Sequence, residues 1–194
     1  VIGAVDTLTT PRARRAPAIL DAIILIVALA VAMAIARAFL ATPIPFYAQP
    51  KTSQRTAYVA TGLASRFLGP TMVGLLVVRL RQPRPSRRRL SRQPGGAACA
   101  AATAALGAGG LVALSLTLFR SIPISSRDEQ LWPIVEAGVG PAVAAAWVVL
   151  LVTGRWRSER SWIDRAGRVC GASSIGLVIF QAFHGWLVPW LPAL

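Results

Sequence analysis

Residues 154–168 read GRWRSERSWIDRAGR, a stretch with five arginines and two tryptophans set between two strongly apolar runs. Three uses suit such a cluster: a nucleic-acid patch, an anion site, or an address that holds a loop on one side of a membrane. The remainder of the chain selects the address. Of its 194 residues 55% are hydrophobic and only 14% charged, with a mean hydropathy of +0.58, whereas a soluble domain carries about 25% charged residues. The net charge of +14 and pI of about 11.8 would by themselves raise nucleic acid as a partner. The arginines, however, lie in blocks that bracket apolar segments, which is the pattern that positive-inside topology leaves behind. Nucleic acid is therefore not the expected partner; the bilayer is.

Working outward from this stretch, the apolar pattern gives an all-α integral membrane protein. It is a single transmembrane domain, a bundle of five transmembrane helices, with spans at about 18–41, 57–78, 97–119, 133–152 and 169–190. Each is close to the roughly 20 residues that cross a hydrocarbon core of about 30 Å. The first run is too long for a signal-peptide core and lacks a convincing cleavage site, so a retained anchor is expected. The third span opens on AACAAATAALGAGG (97–110), and its alanines and glycines permit close helix approach, which suggests a place in the bundle interior. That reading expects Leu at Ala104 or Gly107 to overpack. Pro141 in the fourth span suggests a kink. Ser161 and Asp164 match the [ST]xx[DE] capping pattern, so a helix should start near Ser161.

Orientation follows from the basic residues. With the N-terminus inside, fifteen of the 21 Lys and Arg precede the first span or fall in the loops 79–96 and 153–168, and four fall on the other side. The rule places the N-terminus in the cytoplasm and the C-terminus outside. A multi-pass cell-membrane location, of the bacterial inner-membrane kind, is the expectation. Arg87, Arg88 and Arg89 of the first basic loop, with Arg155, Arg157 and Arg160 of the second, are the expected contacts for anionic headgroups.

No motif carries a reaction. There is no GxxxxGK[ST], GAGG at 107–110 lacks the third glycine of a dinucleotide fingerprint, and the single histidine rules out HExxH. No catalytic residue, metal or cofactor is implied. Cys99 and Cys170 fit no metal or redox spacing and read as small buried residues.

What remains is ionisable chemistry inside the spans: Arg66, Glu136, His184 and Arg37. A charge at the bilayer centre costs about 2.5–3.5 kcal/mol, so each requires a partner or a wet cavity. At about 1.5 Å per residue, Arg66 lies about 13 Å from the outer end of its span, His184 about 9 Å, Arg37 about 6 Å and Glu136 about 5 Å. All four fall in the outer half, and Arg66, Glu136 and His184 can form one layer. Simpler roles compete: snorkelling for Arg37, a helix-dipole partner for Glu136, a carbonyl hydrogen bond for His184. Three functions fit this inventory. First comes a non-enzymatic small subunit or scaffold of a membrane assembly, next to other membrane subunits. Second is a small transporter or channel component for an anion or a proton-coupled solute, in which Arg66 and Arg37 attract an anion and Glu136 or His184 handles protons. The third, weakest, is an intramembrane hydrolase using Ser115 and His184.

Overall fold

A computed structural model describes residues 19–41, 52–81, 92–119, 135–136, 138–159 and 161–187, with the side chains of all of these except 52–55, 57–58, 119 and 184–187. The described residues are all-helical: α1 (Ile19–Ala41), α2 (Thr52–Arg81), α3 (Pro94–Phe119), α4 (Val139–Val152) and α5 (Trp162–Leu187). Four of these are long and apolar enough to cross a membrane, while α4, apolar throughout, has 14 residues. Outward-facing positions are dominated by Ile, Leu, Val and Phe, including Ile19 at 83% and Leu118 at 70% exposure, whereas Asp21, Arg66, Gln93 and Asp164 are buried. Apolar outside and polar inside is the distribution that a lipid solvent rewards, since every polar group must then be satisfied within the protein.

The helices start and stop where local chemistry dictates. Pro94 opens α3 at a position whose N–H would be unbonded in any case. Pro141, where the sequence suggests a kink in the fourth span, sits in the first turn of α4, where its missing N–H forfeits no intrahelical bond. Pro70 lies inside α2; its missing N–H leaves the Arg66 carbonyl without its usual i+4 donor.

The chain runs back and forth, with α1, α3 and α5 beginning at the end where α2 and α4 finish. Arg81 at the end of α2 meets Asp21 at the start of α1, and Trp147 of α4 donates from Nε1 to the Pro94 carbonyl at the start of α3 (2.9 Å). The compact core lies in this half, where Met72, Leu75 and Val78 of α2 pack on Ala98, Cys99 and Ala102 of α3, Val143 of α4 and Ile163 of α5.

Small residues set the close approaches. A Cβ on Gly140 would fall 2.5 Å from Cγ2 of Val178, and one on Gly171 would fall 2.8 Å from the Trp147 ring, so α4 and α5 are as near as side chains allow. The α3 expectation holds for half of the helix. Ala98, Cys99 and Ala102 are buried, but Ala104 is exposed and a Cβ built on Gly107 or Gly110 meets nothing within 4 Å. Further along, α3 has two sides: the one bearing Ala104, Gly107 and Gly110 is open, while Gly109 is pressed against Val135, where a Cβ would fall 2.7 Å from the Val135 Cα.

Candidate functional site: a cavity with one buried ion pair

Two polar constellations lie at opposite ends of the bundle. The basic end is organised by Asp164, whose side chain is 1% exposed. Its Oδ1 accepts from the Gly95 N–H at 2.9 Å and its Oδ2 from the Glu159 N–H at 3.2 Å, while Nε of Arg168 stands 3.4 Å from Oδ2. The Asp164 N–H in turn donates to Ser161 Oγ at 3.2 Å, the forward half of the capping pattern read from the sequence. The return half differs. The short carboxylate reaches the Glu159 N–H, two residues ahead of Ser161, and the Gly95 N–H in the first turn of α3, so an acid in the first turn of α5 also caps the start of α3. Beside it Arg79 donates from Nε (3.1 Å) and Nη2 (2.7 Å) to Gln93 Oε1, and from Nη2 to Glu159 Oε2 at 2.9 Å. Trp156 packs edge-on against Trp147, with ring centroids 5.8 Å apart. The stretch at 154–168 is therefore also a clasp that holds α2, α3 and α5 together.

The second constellation borders a cavity of about 480 Å³ between α1, α2, α4 and α5. Its walls are aliphatic, with Val27 and Val31 from α1, Val73 from α2, and Leu177 and Val178 from α5; Ser65, Arg66 and Glu136 stand at one end. Arg66 is 9% exposed. Its Nη1 donates to the Gly62 carbonyl at 2.8 Å, its guanidinium carbon lies 3.8 Å from the centre of the Phe39 ring, and Nη1 is 3.8 Å from Glu136 Oε2. That oxygen accepts from Ser65 Oγ at 2.7 Å. Gly62 makes room for this arrangement, because a Cβ there would fall 2.8 Å from the Phe39 ring and 3.3 Å from Arg66 Nη1.

The sequence-derived residues thus separate. Arg66 and Glu136 come together across α2 and the helical residues Val135–Glu136 that precede α4. Arg37 is exposed on α1 and does not line the cavity. His184 belongs to α5, but its side chain lies outside the described residues, as do Arg87, Arg88, Arg89 and Arg160. Arg155 and Arg157 are exposed next to the clasp, and the Arg157 N–H bonds the Arg92 carbonyl at 2.9 Å. Ser115 is exposed and its hydroxyl donates to the Val112 carbonyl. Cys99 is buried and Cys170 half-buried, both as free thiols. Among the described residues no group of three or more His, Cys, Asp or Glu is placed to hold a metal ion.

Sequence reading missed Asp164 as a hub and Ser65 as the support of Glu136. A signal for the first was present: Glu159 and Asp164 are the only acids in an otherwise basic segment, and a lone acid beside helix starts suits the dipole. For Ser65 there was none, since a serine in an apolar helix most often bonds its own backbone. Compared with protein-family models, with curated proteins and with solved structures, the chain matches none of them.

Proposed function

We propose that this chain is a non-enzymatic component of a membrane assembly, a small subunit or scaffold of the cell membrane, with its N-terminus cytoplasmic and its C-terminus outside. The observation that carries this reading is how the charge is used: all four described carboxylates, Asp21, Glu136, Glu159 and Asp164, are paired with arginines that join helix to helix or brace a helix start. Such charge holds a shape and is not poised for proton or acyl transfer. Two further features support it. The open side of α3 at Gly107 and Gly110 suits close approach by a helix of another subunit. Arg155 and Arg157, exposed at the basic end, suit anionic headgroups at about 1 kcal/mol per residue.

Site-specific photo-crosslinkers at Ala104, Gly107 and Ala108 of the full chain, expressed in its own membrane, test the reading. Crosslinks to one defined membrane protein, absent when the probe is moved to Ile19 or Ile26 on the outer side of α1, are expected. Lipid adducts alone at all positions would defeat the subunit assignment. For topology, reporter fusions after Arg92 and Arg165 should read cytoplasm and one at Leu194 the outside; a cytoplasmic Leu194 would reject the orientation.

A further inference from the structure

We propose that the cavity between α1 and α5 is a lipid site, and that it takes the single aliphatic chain of an amphiphile whose head is an uncharged hydroxyl, seated between Arg66 and Glu136. This goes beyond the subunit reading and does not depend on it.

Shape is the first ground. The lining on α2 extends from Ser65 to Val77 and on α1 from Ile24 to Ile35, which at about 1.5 Å per residue makes a slot roughly 16–18 Å long and parallel to the helices. That is close to half of a hydrocarbon core of about 30 Å, the reach of one extended leaflet chain. The volume of about 480 Å³ falls within the roughly 300–1,000 Å³ of small-molecule sites.

Wall chemistry is the second. Among the described residues no aromatic side chain lines the cavity, so a flat ring system finds no stacking partner among them, while a flexible aliphatic chain meets Val, Ile and Leu throughout. Polarity is confined to one end: Ser65, Arg66, Glu136 and Gln181 lie there, and the remaining polar lining group, Ser174, has its hydroxyl committed to the Cys170 carbonyl at 2.9 Å, near Met72 Sδ. One polar end and a long apolar remainder is the outline of an amphiphile.

The head follows from the ion pair. Arg66 Nη1 and Glu136 Oε2 are 3.8 Å apart, in charge contact but beyond hydrogen-bond distance. An oxygen about 2.8 Å from each would close that gap, and a hydroxyl can do so because it accepts from the guanidinium and donates to the carboxylate. A carboxylate or phosphate oxygen at the same point would be as near to Glu136 as to Arg66, so repulsion would cancel attraction in a site where little solvent screens either. Ser65 holds Glu136 Oε2 in place, and the Phe39 ring holds the guanidinium.

The test uses the full chain in phosphatidylcholine nanodiscs and a hexadecanol carrying a mid-chain diazirine. Labels are expected to concentrate on Val27, Val31, Leu177 and Val178, and to fall at least fivefold with excess hexadecanol but not with hexadecane or with palmitate at pH 8. Val31→Trp narrows the slot without touching the ion pair. It should lower labelling at least fivefold while leaving the melting temperature in place. Ser65→Ala should weaken competition by hexadecanol. Labelling spread evenly onto the outward Leu111 and Leu118 of α3, or competed equally by hexadecane, means bulk lipid only and overturns the site. Stronger competition by palmitate than by hexadecanol overturns the uncharged head.

Discussion

At the basic end Asp164 is 1% exposed, accepts two backbone hydrogen bonds and faces an arginine. At the other end Glu136 is 17% exposed, accepts from the Ser65 hydroxyl, and stands 3.8 Å from its arginine beside a cavity. Both are carboxylates removed from water in a lipid-facing bundle, and both have partners. They differ in what surrounds them. Around Asp164 the backbones of α3 and α5 are in contact: a Cβ on Gly167 would fall 2.6 Å from the Gly95 carbonyl. Around Glu136 the walls stand apart, because α1 leans on α2 and leaves a gap towards α5. A buried charge costs several kcal/mol in desolvation and returns it only through close, multiple partners. The first end meets that condition from backbone donors, which only a proline substitution would delete, and it reads as structural. The second relies on a side-chain hydroxyl and a 3.8 Å ion pair at the edge of a cavity.

The largest effect should come from breaking the tighter end. Asp164→Ala strands two N–H groups and leaves Arg168 without its counter-charge, so we expect a loss of about 3–5 kcal/mol, measured as detergent-solubilised unfolding. Asp164→Asn keeps one acceptor and should lose less. Equal stability of Asp164→Ala and the parent chain would erase the contrast between the ends.

Next is the looser pair. Arg66→Leu and Glu136→Leu should each cost about 1.5–3 kcal/mol, less than Asp164→Ala. The double substitution should recover part of the sum, since an apolar pair leaves no stranded charge. Strictly additive losses in that cycle would mean that the 3.8 Å contact carries no coupling.

Backbone proximity gives a third, smaller contrast. Gly95→Ala places a methyl group against the Asp164 carbonyl, and overpacking of this kind costs about 1–3 kcal/mol.

Gly107→Leu should have the smallest effect, within about 0.5 kcal/mol, because a Cβ there meets nothing within 4 Å. Melting of the purified variants side by side checks both. A Gly107→Leu loss as large as that of Gly95→Ala would show that the Gly107 side of α3 is packed after all, the arrangement that the alanine and glycine content of the sequence suggested.

Much of the membrane character is legible in the amino-acid sequence by itself. Hydrocarbon imposes its demands locally: a length of apolar residues, helices that satisfy their own backbones, and arginines kept at the ends. Among the described residues a helix lies in each of the five apolar runs, four of them long enough to cross a membrane, and Ser161 and Asp164 meet at a helix start through the short-range hydrogen bond that their spacing reveals. What only the tertiary structure decided is rotation and neighbourhood. α1, α3 and α4 are apolar on nearly every side, so periodicity does not say which face turns inward, and Gly107 could be assigned to the interior by composition alone. Arg66 meeting Glu136 seventy residues away, Arg37 turning outward, Asp164 reaching back 69 residues to Gly95, and the slot between α1 and α5 all depend on how whole helices are turned against one another. A bilayer, equally apolar in every direction around a helix, leaves that choice to packing.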